Sequence, residues 1–244
     1  MQARTQAMNF ANYQATRVSP LGHLGALCTA FALLSLGITV AAVWLGAMIL
    51  DSGHSASATE REIVIGNDVF VVPENAIRFE EARRDGVQPR LDLYLRWPEL
   101  EGYTAEAEEA FNNSDGAKSI IFLTLEPRML SRDMSGRLEP IYRGLLQAEP
   151  ADGPAGLKLY RFREDSGYAG ELLAVGERPG NAPFVARCLA GEIARTALAS
   201  CDRDIFISAE TTLSYRFPEA LLSEWQALDA AIWGKTTAFL QGEG

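Results

Sequence analysis

Histidine is nearly absent from this chain of 244 residues. His23 stands at the start of a long apolar segment and His54 in a polar stretch after it, so the expected folded region, 62–244, has none. This excludes Ser-His-Asp and Cys-His catalysis and histidine-based metal sites from that region. Carboxylate pairs remain as a possible hydrolytic chemistry. We therefore expect no cofactor and no metal, and the sequence favours a protein that is not an enzyme.

Phosphate-binding and nucleophile motifs are missing as well. The stretch Gly116-Ala117-Lys118-Ser119 has alanine where a P-loop requires glycine directly before lysine. Neither G-x-S-x-G nor S-x-x-K occurs. Basic residues are outnumbered after residue 50, where 32 acidic and 20 basic side chains leave an excess of twelve negative charges. An acidic domain does not attract nucleic acid through a general field, so we expect no nucleic-acid partner.

Charge is absent altogether between Leu24 and Leu50. A helix of these 27 residues could reach about 40 Å, which exceeds the hydrocarbon core of a bilayer. Arg4 and Arg17 precede it and Asp51 follows, so the positive-inside rule predicts a cytoplasmic tail at 1–23. We expect a transmembrane helix at 24–50 that contacts the lipid bilayer, a linker at 51–61 and an exported domain at 62–244.

Two alternatives concern this segment. Ala56-Ser57-Ala58 has the form of a signal-peptidase site, but the apolar run is much longer than that of a cleavable signal. Small residues recur at four-residue spacing in the span, which would allow two helices to approach closely. Self-association through the span is therefore the second alternative. The small residues are Gly22, Ala26, Ala30, Gly37, Ala41, Ala42 and Gly46.

The exported region reads as strands interspersed with a few helices. Glu62–Val72 predicts a hairpin that turns at Gly66, and Leu91–Trp97 alternates apolar and polar residues as a strand with one buried face does. Pro218 opens a final amphipathic helix. We predict an α+β fold: one exported domain with a mainly antiparallel sheet and about three helices. A β-sandwich decorated with helices is the alternative.

Cys188 and Cys201 are the two cysteines outside the apolar run, and twelve residues separate them. In an oxidising compartment two such thiols usually pair, so we predict a disulfide between them. Closing this loop stabilises the fold by about 3 kcal/mol in the chain-entropy model. Cys28 lies inside the apolar run and is expected to be an inert apolar side chain.

An arginine-rich segment, 128–143, stands out in this acidic domain. Arginine and tyrosine are favoured at protein interfaces, and arginine suits carboxylate and phosphate groups. We therefore consider the segment a candidate binding site, although Asp133, Glu126 and Glu139 could neutralise it on a solvated loop. The candidate residues are Arg128, Arg132, Arg137, Tyr142 and Arg143.

Four stretches of the chain resemble a group of uncharacterised membrane-anchored, single-pass proteins of alphaproteobacteria. The resemblance covers most of residues 62–233 and implies an inner-membrane anchor with a periplasmic domain, without implying an activity. The stretches are EIVIGNDVFVVPENAIRF, LDLYLRWPELEGYT, EPRMLSRDMSGRLEPIYRGLL and LSYRFPEALLSEWQALDAAI.

Two functions follow as hypotheses. The first is a periplasmic module that binds a membrane or periplasmic protein, or a component of the envelope, without catalysis. The second is a hydrolase that uses carboxylates, which requires a cleft with two acids of opposed pKa shifts.

Overall fold

The computed structural model describes residues 20–51 and 53–241. Residues 1–19 of the expected tail at 1–23, Ser52 and the last three residues lie outside the described residues. The chain divides into two compact units, with the division between positions 51 and 52.

The first unit contains one long helix, α1 (Pro20–Asp51). At 1.5 Å per residue its 32 residues extend about 48 Å. Its stretch Leu27–Gly46 has a mean hydropathy of 2.1, and it is long and apolar enough to cross a membrane. An N-terminal helix of this kind is typical of a membrane anchor or a signal sequence.

The second unit is built mainly from antiparallel strands. The strands of the described chain are β1 (Glu60–Ile65), β2 (Asp68–Pro73), β3 (Gly86–Val87), β4 (Leu91–Arg96), β5 (Ile120–Pro127), β6 (Ala151–Asp152), β7 (Lys158–Arg161), β8 (Glu171–Gly176), β9 (Phe184–Leu189), β10 (Cys201–Phe206) and β11 (Thr211–Phe217). Its helices are α2 (Glu108–Phe111), α3 (Glu192–Thr196) and α4 (Trp225–Phe239), with several single 3₁₀ turns between them. This unit is therefore α+β, as the sequence predicts.

The strands form two sheets. Eight strands pair in the order β4-β5-β11-β10-β9-β8-β7-β6, and every pairing along this sheet is antiparallel. The smaller sheet has the order β2-β1-β3, where β1 pairs with β2 as the predicted hairpin and with β3 in parallel. One apolar core joins the two sheets and α4, with Phe70, Leu93 and Leu228 among its fully buried residues. The two sheets and α4 all bury apolar side chains in this core, and the removal of that apolar surface from water stabilises the fold.

The large sheet is covered on parts of its second face too, which the alternation of β4 did not reveal. We expected Tyr94 on an open face, but it is buried against Tyr103 and Phe111. A separate apolar cluster covers the second face at β8 and β9, where Leu173 and Val185 pack against Tyr142. A strand with two buried faces can carry apolar residues at consecutive positions.

Part of the expected linker at 51–61 is folded onto the domain. The His54 ring stacks on Tyr103 with centroids 4.5 Å apart, and its two nitrogens are hydrogen-bonded to Tyr94 and Asn112. β1 also begins at Glu60, two residues earlier than expected. An imidazole has an aromatic face that can stack on a tyrosine ring and two nitrogens that can form hydrogen bonds, so His54 attaches this polar segment to the domain.

The two cysteines after the apolar run form a disulfide. Cys188 on β9 and Cys201 on β10 are direct partners in the antiparallel register, with Cα atoms 4.0 Å apart. Both are almost fully buried in the main core. The predicted disulfide is present.

Candidate functional site

The large sheet loses its regular pairing beside this disulfide. β10 pairs with β11 over its whole length but with β9 at only two positions, Cys201 and Asp202. Beyond that point Arg203 reaches across and donates to the Val185 carbonyl of β9 at 2.9 Å. The backbone N–H of Met134, in the loop after β5, donates to the Asp204 carbonyl. Side-chain and loop donors thus replace part of the strand ladder, which satisfies backbone groups that would otherwise be orphaned.

A cleft of about 640 Å³ opens at this interruption. Its walls come from the loop after β5, the loop between β8 and β9, β10 and helix α4. The lining residues include Asp133, Ser135, Arg178, Asn181, Arg203, Phe206, Gln226, Asp229 and Trp233. The size is typical of clefts that hold small groups or the side chains of a partner.

The floor of the cleft is a network of charged side chains centred on Asp229 of α4. Arg203 Nε donates to one carboxylate oxygen at 2.8 Å, and the hydroxyl of Tyr215 donates to the same oxygen. Arg178 donates to the other oxygen. Arg203 also donates to the Ser135 hydroxyl at 3.0 Å and keeps only 3% of its surface exposed. One carboxylate therefore serves two guanidinium groups, which leaves one excess positive charge on this floor.

Electrostatics keep this network ionised. Burial alone would raise the pKa of Asp229, but Arg203, Tyr215 and Arg178 outweigh it and hold that pKa below its ordinary value. Burial raises the pKa of Tyr215 well above its usual range, so the phenol stays protonated and acts as a donor. A buried charge is tolerated when partners surround it in this way, because the low-dielectric interior strengthens each contact.

The arginine segment borders this cleft at one end. The guanidinium of Arg128 lies 3.8 Å from the ring centroid of Phe206, a lining residue. It also donates to the carbonyls of Leu130 and Ser131 at 3.1 and 3.2 Å, which shapes the loop. The next two side chains, Met129 and Leu130, are 87% and 53% exposed. Trp233 on the opposite wall is 45% exposed.

The other candidate residues of the segment do not form one surface with Arg128. Tyr142 is buried in the second apolar cluster, so it is a core residue and not an exposed contact. Arg137 forms an ion pair with the buried carboxylate of Asp204, and its other amino group donates to that carboxylate at 3.2 Å. Arg143 is paired with Glu139 at 3.1 Å.

Arg132 differs from these. Its side chain is exposed, and within the described residues its guanidinium has neither an ion pair nor a hydrogen bond. Of the five residues predicted for binding, Arg128 and Arg132 thus present accessible surface close to the cleft, while Arg137 and Tyr142 mainly hold the segment in place.

The acidic residues with raised pKa values lie outside the cleft, so they do not form a hydrolytic pair with Asp229. Burial raises the pKa of Asp202 and of Glu171, and Arg187 opposes both shifts from a position between them. Neither residue lines the cleft, where Asp229 has a lowered pKa and accepts three bonds. Over the described residues, no group of three His, Cys, Asp or Glu side chains is placed to hold a metal ion.

Sequence reasoning missed the floor of the cleft. Asp229 lies one residue after Leu228 and four after Trp225, on the buried face of α4. Arg203 occupies an inward position of β10 between Cys201 and Ile205, which belong to the main core. Each breaks an apolar pattern, and a single acid and a single base at such positions are a signal for a buried ion pair.

No protein-family model matches the chain, and no curated protein matches it in sequence. Solved structures with a similar fold include an immunity protein of the Stenotrophomonas maltophilia type IV secretion system. That similarity covers 78% of this chain and 95% of the other at 13% identity, with a TM-score of 0.50. The iron-regulated outer-membrane lipoprotein FrpD of Neisseria meningitidis matches over 77% and 95% at 12% identity, with a TM-score of 0.46. At this identity the first similarity extends to the fold alone.

Proposed function

We propose that this protein is a membrane-anchored module of the bacterial cell envelope that binds a protein partner without catalysis. The observation that carries the proposal is the surface beside the cleft: Arg128 stacked on Phe206, the exposed pair Met129 and Leu130, and Trp233 across the opening. Arginine, methionine and tryptophan are the residues that interfaces enrich, and exposed apolar side chains next to one another mark interaction sites.

Four further features support this proposal. The fold is similar to that of an immunity protein of a secretion system. The apolar helix α1 precedes the domain, and the disulfide suits an oxidising compartment such as the periplasm. The resemblance to alphaproteobacterial membrane-anchored proteins agrees with an inner-membrane location. We therefore propose a cytoplasmic N-terminus and a periplasmic domain that meets its partner there.

Site-specific crosslinking in living cells tests the binding function. A photo-crosslinking amino acid at Met129 should give one reproducible protein adduct, because this side chain is 87% exposed beside the cleft. The matched control is the same amino acid at Ile193 on α3, an apolar side chain that is 65% exposed and does not line the cleft. Equal adducts from both positions, or none from Met129, would contradict the proposal.

The topology is tested separately. A phosphatase that requires export, fused after Gly244, should be active, and a reporter that folds only in the cytoplasm should be silent there. The reverse pattern would refute the periplasmic location.

A further inference from the structure

The cleft floor has hydrogen-bond donors that the protein itself does not use. Arg203 donates from Nε to Asp229 and from Nη1 to the Ser135 hydroxyl and the Val185 carbonyl. Within the described residues its Nη2 has no acceptor. Arg178 bonds Asp229 through Nη2 alone, and its Nε and Nη1 have no acceptor in that part of the chain. Both arginines line the cleft. Guanidinium groups carry five N–H donors in a rigid fork that matches a carboxylate.

These donors are held in place before any ligand arrives. The Arg203 guanidinium lies 4.8 Å from the Phe184 ring centroid, and Arg178 lies 5.4 Å from that of Trp225. Arg203 is nearly inaccessible, and the Arg178 side chain keeps 28% of its surface exposed. Contacts with aromatic faces restrict the rotamers of both side chains, so less entropy is lost when an acceptor binds.

The local charge also favours an anion, in contrast with the domain as a whole. Five arginines and three aspartates lie in the cleft lining and the loop 128–137, when Asp204, the ion-pair partner of Arg137, is included. This leaves an excess of two positive charges. The exported region has an excess of twelve negative charges. The third aspartate, Asp133, accepts the backbone N–H of Gly136 at 2.8 Å and so caps a turn at the rim. A positively charged cleft in an otherwise acidic protein attracts an acidic group selectively.

We propose that the cleft binds the carboxylate side chain of an aspartate or glutamate on the protein partner, through the unused N–H groups of Arg178 and Arg203. Trp233 at the rim covers the apolar part of the same side chain. The source of the carboxylate rests on the proposed function, whereas the anion site itself rests on the cleft geometry. An acidic contact of this kind is specific, because a neutral amide of the same shape leaves charged donors without a charged acceptor.

Fluorine NMR on the full chain in lipid nanodiscs, labelled with 5-fluorotryptophan, tests the site. The probes are N-acetylglutamate N-methylamide and its uncharged counterpart, N-acetylglutamine N-methylamide. The Trp233 resonance should shift saturably as the glutamate probe is added. The protein should bind the glutamine probe at least about 10-fold more weakly, since charge-assisted hydrogen bonds are stronger than neutral ones. Trp97 does not line this cleft and serves as the internal control.

The Arg178→Gln variant should lose the glutamate-dependent shift. A thermal scan shows whether that variant is folded, and Arg178→Lys, which retains the charge beside Asp229, replaces it if it is not. The lysine variant should bind the glutamate probe more weakly than the natural protein, because the planar fork is lost. Equal responses to the two probes, or binding of the glutamate probe by either folded variant as tight as that of the natural protein, would overturn the proposal.

The crosslinking experiment separates this inference from the proposed function. If the Met129 adduct forms but the glutamate probe does not bind, the carboxylate site is refuted and the binding module stands. If the probe binds but no protein is crosslinked, the assignment of the carboxylate to a protein partner is refuted along with the proposed function.

Discussion

Replacing Asp229 by alanine should be one of the most damaging single changes in the domain. The substitution leaves Arg203, which is 3% exposed, without its charged partner, and it removes the acceptor of Arg178 and of the Tyr215 hydroxyl. Removing one member of a buried ion pair costs about 3–5 kcal/mol, because the remaining charge stays desolvated. We expect the free energy of unfolding to fall by that amount.

A second substitution tests the cause. In the double variant Asp229→Ala with Arg203→Met, the orphaned charge is gone and the methionine fills part of the same volume. Replacing a whole buried ion pair by apolar groups is often nearly neutral. Here Ser135 and the Val185 carbonyl also lose a donor, so some cost remains. The double variant should nevertheless be more stable than the sum of the two single effects predicts, by about 1–3 kcal/mol.

Urea unfolding of the full chain in nanodiscs, followed by tryptophan fluorescence, measures Asp229→Ala, Arg203→Met and the double variant. The matched control is Asp152→Ala, which removes an aspartate that is ion-paired with Lys158 on an exposed surface. That control should unfold at the same urea concentration as the natural protein. If Asp229→Ala behaves like the control, or if the two single effects simply add, the reasoning about the buried network is wrong.

The same carboxylate should also give a recognisable pH dependence. Its folded-state pKa is lowered by Arg203, Tyr215 and Arg178 against the opposing effect of burial, so its contribution is present above the unfolded pKa of about 3.9. That contribution is lost as the pH falls through the folded-state pKa. Asp229→Asn should therefore reduce stability at pH 7 and flatten the acid limb of the stability profile. An unchanged acid limb would contradict the assigned network.

Three further perturbations have expected outcomes. Serine at both Cys188 and Cys201 should lower the free energy of unfolding by about 3 kcal/mol in urea, and more if the buried hydroxyls find no partners. His54→Ala should cost about 1–2 kcal/mol in thermal unfolding and speed proteolysis at 53–59, because a ring stack and two hydrogen bonds disappear. Arg132→Ala should leave the melting temperature unchanged, whereas Arg137→Ala should lower it because the buried carboxylate of Asp204 loses its partner.

Local patterns predicted the parts of the fold that depend on neighbouring residues. The turn at Gly66 gives the hairpin of β1 and β2, and Gly66 has the positive φ of 62° that such a turn needs. The alternation at Leu91–Trp97 gives β4, and the thiols of Cys188 and Cys201 pair across neighbouring strands. Each of these features is encoded within a few residues or by a spacing.

What covers the sheet depends on contacts between distant segments, and the sequence does not display it. Tyr94 occupies a position that would be open in a sheet with one buried face, but residues 54, 103 and 111 cover it. The arginine segment shows its composition but not its partners, since Asp204 lies 67 positions after Arg137. The cleft is still less visible, because Arg203 and Asp229 come from a strand and a helix that meet only in the folded domain.

The interruption between β9 and β10 has a mechanical consequence. Two register pairs join these strands, against six between β10 and β11, so the pairing here is the shortest in the interior of the eight-stranded sheet and equals that of the edge strands β6 and β7. The disulfide lies at one end of that line and fixes the distance there, while the other end is held by side chains of Arg203 and the loop that contains Met134. Any relative displacement of the two halves of the sheet would therefore be smallest near the sulfur atoms and largest at the cleft. A load that pulls them apart would widen the cleft first and would reach the covalent bond last.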